Sequence, residues 1–146
     1  MGPAKVGDGR RQAGWGAGPD SLTLPLDVPA WSAEEPPAVW GPRAWYWLHS
    51  AAISYPAEPP PQVRRAMHVR LWAFLRSLPC ARCRAHAHAY ARDRPPPLQG
   101  SQELQAWAWE FHNAVNRRLG KPHFSPKEYR EAYQHELGRA YWPYLG

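Results

Sequence analysis

Cysteine is scarce in this chain, and no apolar run is long enough to cross a membrane. The two cysteines, Cys80 and Cys83, are three positions apart, whereas structural disulfides usually close longer loops. We therefore expect redox chemistry or metal binding rather than a structural crosslink. The N-terminus also lacks the hydrophobic segment of a signal peptide. These absences favour a cytoplasmic protein; the alternative is the mitochondrial intermembrane space, which some small proteins enter without such signals.

Proline and glycine are abundant, with 18 and 11 residues, and they are concentrated near the N-terminus. Residues 1–38 contain clustered prolines and glycines and show no sustained apolar period, which predicts a disordered arm. Residues 39–146 then form one folded domain of ordinary size. We attribute the two tryptophans of the arm, Trp15 and Trp31, to composition; the alternative is that they pack onto the bundle or onto a partner.

The positive charge of the chain lies in the predicted domain. The net charge is +6, and the arm contains three basic and five acidic residues, so the domain carries 15 basic and seven acidic residues, or +8. Such a balance favours anionic partners such as nucleic acid, phosphates or acidic proteins, although it also serves solubility alone. A basic helical binding module is therefore one alternative function.

The periodicity of apolar residues predicts five helices and no strands. The predicted helices span about residues 41–54, 62–78, 80–94, 101–119 and 125–137. Ser101 is a candidate N-cap for the fourth helix, and Ser125 with Glu128 forms a capping box at the start of the fifth. Gly138 is expected just after that last helix. The fold class is all-α, arranged as a compact helical bundle.

The motif Cys80-Ala81-Arg82-Cys83 stands at a predicted helix start, directly after a proline. Unpaired backbone N–H groups and the helix dipole stabilise a thiolate at such a position. A spacing of three residues puts both sulfur atoms on one helical face, within reach of a disulfide. This arrangement is typical of a reversible redox pair.

Two alternatives use the same cysteines. With His86 and His88 they form C-x2-C-x2-H-x-H, a possible zinc site, but on a continuous helix the two histidines point about 200° apart. A thioredoxin-like fold needs a strand before the motif, and the helix-patterned sequence WAFLRSL stands there instead. We favour the redox pair and expect no bound metal, and a zinc-stabilised interaction domain remains an alternative.

The fourth predicted helix carries a second polar cluster. Trp109, His112 and Asn116 are spaced to share one face, where they offer an aromatic wall, an imidazole and an amide. Such a face suits a flat heterocycle, and Lys121 just beyond the helix could meet a phosphate. Without other motifs, a solvated face is the commoner explanation of such a cluster.

Four motifs in a fixed order carry a family resemblance: W-G-x-x-x-W-x-x-L-H at 40–49, Y-P at 55–56, P-C-x-x-C at 79–83 and H-N-x-V-N-R-R-L-G-K-P-x-F at 112–124. Together they resemble the Erv/ALR family of FAD-linked sulfhydryl (thiol) oxidases over about residues 39–133. The small set of cysteines is similar to the minimal oxidases of large DNA viruses, which would place the protein in an infected cell or a virion.

The resemblance implies a four-helix bundle plus a short fifth helix, usually homodimeric, with FAD in the mouth of the bundle. Cys83 would be the cysteine beside the flavin, and Cys80 would exchange with the substrate. The implied activity oxidises protein dithiols to disulfides and passes the electrons to molecular oxygen, giving hydrogen peroxide. The implied FAD contacts are Gly41, Arg43, Trp45, His49, Tyr55, His112, Asn113, Asn116, Lys121 and Tyr133.

The chain departs from the family pattern in three places. Pro42 stands where many members have an arginine, and Arg43 follows it. Trp109 and Pro126 occupy the positions of a common structural disulfide. No additional cysteine pair is available as a shuttle, so the Cys80–Cys83 pair would meet a protein dithiol substrate or a separate thiol carrier protein directly.

Overall fold

Five helices form the part of the protein that this computed structural model describes, namely residues 28–29, 31–32 and 34–133. No strand occurs within these residues, which confirms the all-α prediction. The helices are α1 (Pro37–Ser54), α2 (Pro61–Ser77), α3 (Ala81–Asp93), α4 (Ser101–Leu119) and α5 (Pro126–Ala132).

The main core lies between two helix pairs, α1 with α4 and α2 with α3. Apolar residues recur on one side of each helix and are almost completely buried there, which removes them from water. The largest fully buried aliphatic and phenyl side chains of this core are Leu48, Val63, Met67, Leu71, Phe74, Leu75 and Leu104. A smaller cluster around Tyr129 and Tyr133 packs α5 against α1 and α4.

Helix α1 begins four residues earlier than the predicted start at Gly41. Pro37 occupies the first helical position, where a proline loses no helical hydrogen bond and its fixed φ suits the helix. Pro42, predicted for the first turn, therefore lies inside the helix. Its missing N–H removes one hydrogen bond there.

Trp31 packs against the folded domain, so its attribution to composition is wrong. Its indole N–H donates to Ser77 Oγ at 3.0 Å, its ring lies 6.3 Å from that of Trp40, and the Arg43 guanidinium lies over it at 5.2 Å. Ordered contacts thus begin before residue 39, the predicted domain boundary. The disorder predicted for residues 1–27, including Trp15, falls outside the described residues.

Ser101 does not cap α4, contrary to the prediction. Gly100 is the N-cap, and the Ser101 hydroxyl donates to Ala52 O at 2.7 Å. This bond gives a second donor to a carbonyl group in the last turn of α1, which also accepts from Tyr55 N at 3.3 Å. Gly100 itself packs closely against the loop after α1. A side chain at this position would therefore clash with Ala57 O.

Helix α5 begins as predicted and ends sooner. Ser125 Oγ accepts from Glu128 N at 3.0 Å, and Glu128 Oε1 accepts from Ser125 N at 2.8 Å, so the capping box is confirmed. The helix ends at Ala132, with Tyr133 as its C-cap. The predicted end near Leu137 and the predicted cap Gly138 lie outside the described residues.

None of these helices is long and apolar enough to span a membrane.

Candidate active site

An apolar cavity of about 320 Å³ opens between α1, α3 and α4. Each helix contributes one face, because its lining residues recur at helical spacing. The aromatic and aliphatic lining residues include Trp40, Ala44 and Trp45 of α1, Phe74 of α2 and Leu78 just after it, Ala87 and Tyr90 of α3, and Phe111, Ala114 and Val115 of α4. Cavities of this size and character bind flat organic groups.

Three exposed cationic side chains belong to the lining of the cavity: Arg94, Arg118 and Lys121. Arg118 and Lys121 stand at the end of α4, where the Arg118 charge reaches Cys83. Arg94, the C-cap of α3, stands at the other end of that helix, where its carbonyl group accepts from Trp107 Nε1. Asp93 is the one carboxylate among the lining residues. The charges of Arg118 and Lys121 give their end of the cavity an affinity for phosphate groups.

The cysteine pair connects the cavity with the surface. Cys80 is the N-cap of α3, and its sulfur accepts from Cys83 N at 3.2 Å. Cys83 lines the cavity one turn further on, whereas Cys80 does not. Both are free thiols and half-buried. One cysteine therefore faces the cavity, and the other stands at its outer side.

The two thiols differ in acidity. Hydrogen bonds from the Cys83 side chain and from backbone N–H groups at the start of α3 lower the pKa of Cys80, and Arg82 adds a favourable charge. Burial raises the pKa of Cys83 to about 11, the Cys80 sulfur adds to this rise, and Arg118 opposes it. In the reduced pair, Cys80 is therefore the more acidic thiol, and the Cys83 side chain donates to its sulfur.

Arg84 fixes the turn that leads into the motif. Its guanidinium donates to Leu78 O, a carbonyl group in the bend between α2 and α3. Leu78 is buried, and Pro79 follows it, which prevents α2 from continuing. The position of Cys80 is thus set by the buried end of α2 as well as by α3.

A neutral histidine pair lies beside the cavity wall. His49 Nε2 and His112 Nδ1 are 2.9 Å apart, and the His112 ring stacks on Trp45 at 3.8 Å. Burial, followed by the proximity of His112, holds the pKa of His49 well below its usual value. Burial and then the Lys121 charge lower the pKa of His112 to about 4. His49 Nδ1 is buried without a hydrogen-bond partner among the described residues.

This pair should make the protein less stable in mild acid. Between pH 7 and pH 5 the unfolded histidines bind protons and the folded ones do not, so the free energy of unfolding falls as the pH falls. His112 alone accounts for a loss of about 2 kcal/mol over this range, and His49 acts in the same direction. Urea unfolding at several pH values, on unchanged protein and on His112→Gln, measures the effect.

The exposed His68 of α2 provides the matched control. His68→Gln should keep the full pH dependence, and His112→Gln should lose a large part of it. Equal slopes in all three proteins would contradict the assignment of neutral histidines.

Asn113 joins α4 to the segment before α5. Its Oδ1 accepts from Phe124 N at 2.7 Å, and its Nδ2 donates to Phe124 O at 3.0 Å. Trp109 Nε1 donates to the same carbonyl at 3.0 Å, and Asn116 Nδ2 donates to Asn113 Oδ1 at 3.3 Å. Both asparagines are buried and neither lines the cavity. The bonds of Asn113 and Trp109 thus hold α4 to Phe124, two residues before α5 begins.

The other predicted cofactor contacts fall into two groups. Gly41, Trp45 and Lys121 line the cavity, and His49 and His112 stand behind Trp45. Tyr55 is buried and donates to Leu98 O at 2.9 Å, and Tyr133 donates to Trp45 O at 3.4 Å. Arg43 binds Glu35 at 3.2 Å and covers Trp31. Tyr55, Tyr133 and Arg43 are absent from the cavity lining.

Several lining residues were missed by the sequence analysis. Tyr90 lies seven positions after Cys83 on the same face of α3, and Arg94, the C-cap of that helix, lies four positions further on. Arg118 follows Val115 by three positions on α4. This helical spacing from an identified cysteine was the available signal. Trp40 was noted only as part of a motif, and its place in the cavity depends on the early start of α1.

Within residues 28–29, 31–32 and 34–133, no three side chains from histidine, cysteine, aspartate and glutamate come together as a possible metal site. His86 reaches the cavity lining, whereas His88 stacks on Trp72 at 5.7 Å. The two histidines of the zinc pattern therefore point to different surroundings, as their helical spacing requires.

A family model described as the Erv1 / Alr family matches residues 42–134, which include α2 to α5 and all of α1 except its first five residues. The chain belongs to the Erv1/Alr family. This match covers more than half of the chain and confirms the resemblance carried by the four motifs.

Curated members of the Erv1/Alr family come from viruses and from eukaryotes. An African swine fever virus protein named FAD-linked sulfhydryl oxidase is 38% identical over 98 residues, covering 67% of this chain and 82% of the viral one. The mitochondrial FAD-linked sulfhydryl oxidase ERV1 of Saccharomyces cerevisiae is 39% identical over 92 residues, covering 62% of this chain and 49% of its own length.

A solved structure of an Erv1/Alr member has the same fold. The crystal structure of the FAD binding domain of Erv1 from Saccharomyces cerevisiae matches with a TM-score of 0.61 and 34% sequence identity, covering 66% of this chain and 91% of that one. The helical arrangement around the cavity is thus shared with an experimentally determined member of the family.

Proposed function

We propose that this protein is an FAD-dependent sulfhydryl oxidase that forms disulfides in protein thiols through Cys80 and Cys83. The observation that carries the proposal is the position of the cysteine pair, with Cys83 in the wall of the apolar cavity and Cys80 at its outer side. The names of the relatives from African swine fever virus and yeast support the same activity.

The residues of the cavity fit FAD. The apolar walls suit a flat ring system, and Trp40, Trp45, Tyr90 and Phe111 offer aromatic faces to it. Arg118 and Lys121 would hold the diphosphate, and Trp45, against which the His112 ring stacks, would offer its ring to the adenine. We propose Gly41, Trp45 and Lys121 as direct contacts, with His112 supporting the ring of Trp45 from behind. His49, Tyr55, Asn113, Asn116 and Tyr133 would hold these elements in position, and Arg43 would hold the segment before α1.

The cysteines perform the exchange chemistry with the substrate. A substrate thiolate attacks Cys80 Sγ of the Cys80–Cys83 disulfide, the bond between the enzyme sulfurs breaks, and Cys83 leaves as a thiolate. A second substrate thiolate attacks the mixed disulfide, and Cys80 leaves. The hydrogen bond from Cys83 N and the start of α3 stabilise that leaving thiolate. Arg118 stabilises the thiolate of Cys83 beside the cavity.

Bound FAD would accept the two electrons of the reduced cysteine pair and transfer them to molecular oxygen, giving hydrogen peroxide. The chain's own contribution is to place Cys83 Sγ in the cavity wall and to exclude water from that wall. Phe74 and Leu78 bury the side nearest the end of α2. Tyr90 of α3 and Phe111 of α4, whose rings lie 5.1 Å apart, add aromatic surface to the lining.

The absorption spectrum of the purified protein, recorded before and after adding dithiothreitol under air, tests this function. We expect flavin absorption that bleaches on addition and returns when the dithiol is consumed, with peroxide formed in parallel. The Cys80→Ser, Cys83→Ser double variant is the control and should bind FAD without forming peroxide. A colourless protein that cannot be reconstituted with FAD and consumes no oxygen would contradict the proposal.

We also propose that the protein is a homodimer and that it acts in the cytoplasm of a virus-infected cell or in a virion. Relatives in African swine fever virus and in an invertebrate iridescent virus support this location. The mitochondrial relative in yeast supports the alternative, the intermembrane space. Light scattering of the purified protein would give the oligomeric state, and a value for a monomer would contradict the dimer.

A further inference from the structure

The chain around the cysteine motif, from the start of α2 to the last turn of α3, carries positive charge and no carboxylate before Asp93. Between Glu58 and Asp93 the sequence contains seven arginines and three histidines, and neither aspartate nor glutamate. This stretch contains all of α2 and all of α3 up to its last residue. The charged side chains of this stretch are therefore all basic. The net positive charge of the chain alone would not require such a complete separation of basic from acidic residues.

Two of these arginines are close to Cys80 in the sequence, and their side chains are exposed to solvent. Arg76 is exposed on the last turn of α2, and Arg82 is exposed between the two cysteines. Neither forms an ion pair with a carboxylate among the described residues, and the charge of Arg82 reaches Cys80, whose pKa it lowers. Arg84, by contrast, is engaged with Leu78 O and belongs to the scaffold.

We propose that Arg76 and Arg82 form a docking surface for a protein dithiol whose reactive cysteines are flanked by carboxylates. This inference rests on the proposed function and specifies its substrate class. Carboxylates beside a substrate cysteine would pair with the two arginines and bring the substrate sulfur to Cys80. Surface charges of this kind act mainly on the rate of encounter, and salt screens them.

The exchange at this surface is balanced without a further reactant. Two substrate thiolates lose two electrons and become one disulfide, and the Cys80–Cys83 disulfide gains these electrons and becomes two thiols. The protons of the substrate thiols pass to solvent and to the reduced enzyme pair. The enzyme pair is then reoxidised through the proposed cofactor by oxygen.

A nucleic acid is the other anion that a basic helical surface could bind. The position of the arginines favours a protein, since Arg82 lies between the two residues that react with thiols, and nucleic acids have no thiol to offer. Binding of a nucleic acid at this surface would also cover Cys80 and oppose the proposed exchange.

Three peptides that differ only in the residues flanking one C-x-x-C dithiol test the docking surface with the FAD-loaded protein. The flanking residues are glutamate, glutamine or lysine. We expect kcat/KM for the glutamate peptide to exceed that for the lysine peptide about tenfold at low salt, with a smaller ratio in 0.5 M NaCl. Arg76→Glu and Arg82→Glu should each bring the ratio close to one or invert it.

Arg65→Glu is the matched control, because Arg65 is exposed on the first turns of α2 and makes the same change of charge. It lies eleven residues from Arg76, or about 16 Å along the helix. It should leave the ratio within about twofold. Turnover of dithiothreitol, which is uncharged, reports the oxidase activity itself, so its absence would count against the proposed function and not against docking.

Binding of fluorescent, serine-substituted versions of the peptides measures docking without turnover. Tighter binding of the glutamate peptide, weakened by Arg82→Glu and not by Arg65→Glu, would support the proposal. Equal kcat/KM values for the three peptides, or an equal loss in Arg65→Glu, would overturn it. So would a single-stranded oligonucleotide that binds through Arg76 and Arg82 and blocks the glutamate peptide.

Discussion

Replacement of Cys83 by alanine should leave a folded protein that still binds FAD and oxidises dithiols at least about a thousandfold more slowly than the unchanged protein. Cys83 is the cysteine that lines the cavity, and its removal separates the exchanging sulfur of Cys80 from the proposed cofactor site. Oxygen consumption with dithiothreitol measures the rate, and the flavin absorption measures the bound cofactor.

Ala81→Ser is the control for this experiment, because Ala81 is exposed in the same turn of α3 and has no partner in the cavity lining. Its rate should stay within about twofold of the unchanged protein. If Cys83→Ala retained a tenth of the rate, electrons would reach the acceptor without Cys83, and its assignment would be wrong.

Replacement of Asn113 by alanine should lower the free energy of unfolding by about 2–3 kcal/mol. The variant loses both hydrogen bonds to Phe124 and leaves the N–H group of Phe124 without its acceptor. It also removes the acceptor of Asn116 Nδ2. The carbonyl group of Phe124 keeps its bond from Trp109, which limits the loss. Urea unfolding without added FAD measures the change.

Gln102→Ala serves as the matched surface variant, since Gln102 is exposed on the same helix. It should change the free energy of unfolding by less than about 0.5 kcal/mol. Trp109→Phe removes one of the hydrogen bonds to Phe124 and should cost about 1 kcal/mol. A loss below 0.5 kcal/mol in Asn113→Ala would mean that the α4–α5 connection depends on other contacts.

The helices were predictable from sequence because their signals are local. The capping box at Ser125 and the stop at Gly120 act within a few residues, and both are present. Gly120 adopts the left-handed conformation, with φ of 70°, that favours glycine at a helix end. The cysteine motif at the start of α3 was predictable for the same reason.

The sequence-based predictions failed where contacts between residues distant in the sequence determine the structure. Serine is a favoured N-cap residue, but the hydroxyl of Ser101 donates to the carbonyl group of Ala52 in α1, 49 residues earlier in the chain. Trp31 lies in a proline-rich segment, and its position is determined by its contacts with Trp40 and Ser77. The paired bonds of Asn113 with Phe124 likewise depend on how the loop returns to α4, which no periodicity describes.

The connection between α4 and α5 is made by amide and indole hydrogen bonds, and the chain has no cysteine besides Cys80 and Cys83. Because the chain has no third cysteine, it cannot form an incorrect disulfide within its own fold. Its folding also needs no oxidant, so it can mature in a reducing compartment before any disulfide machinery is active there. A reductant would reduce the Cys80–Cys83 disulfide and leave the fold unchanged.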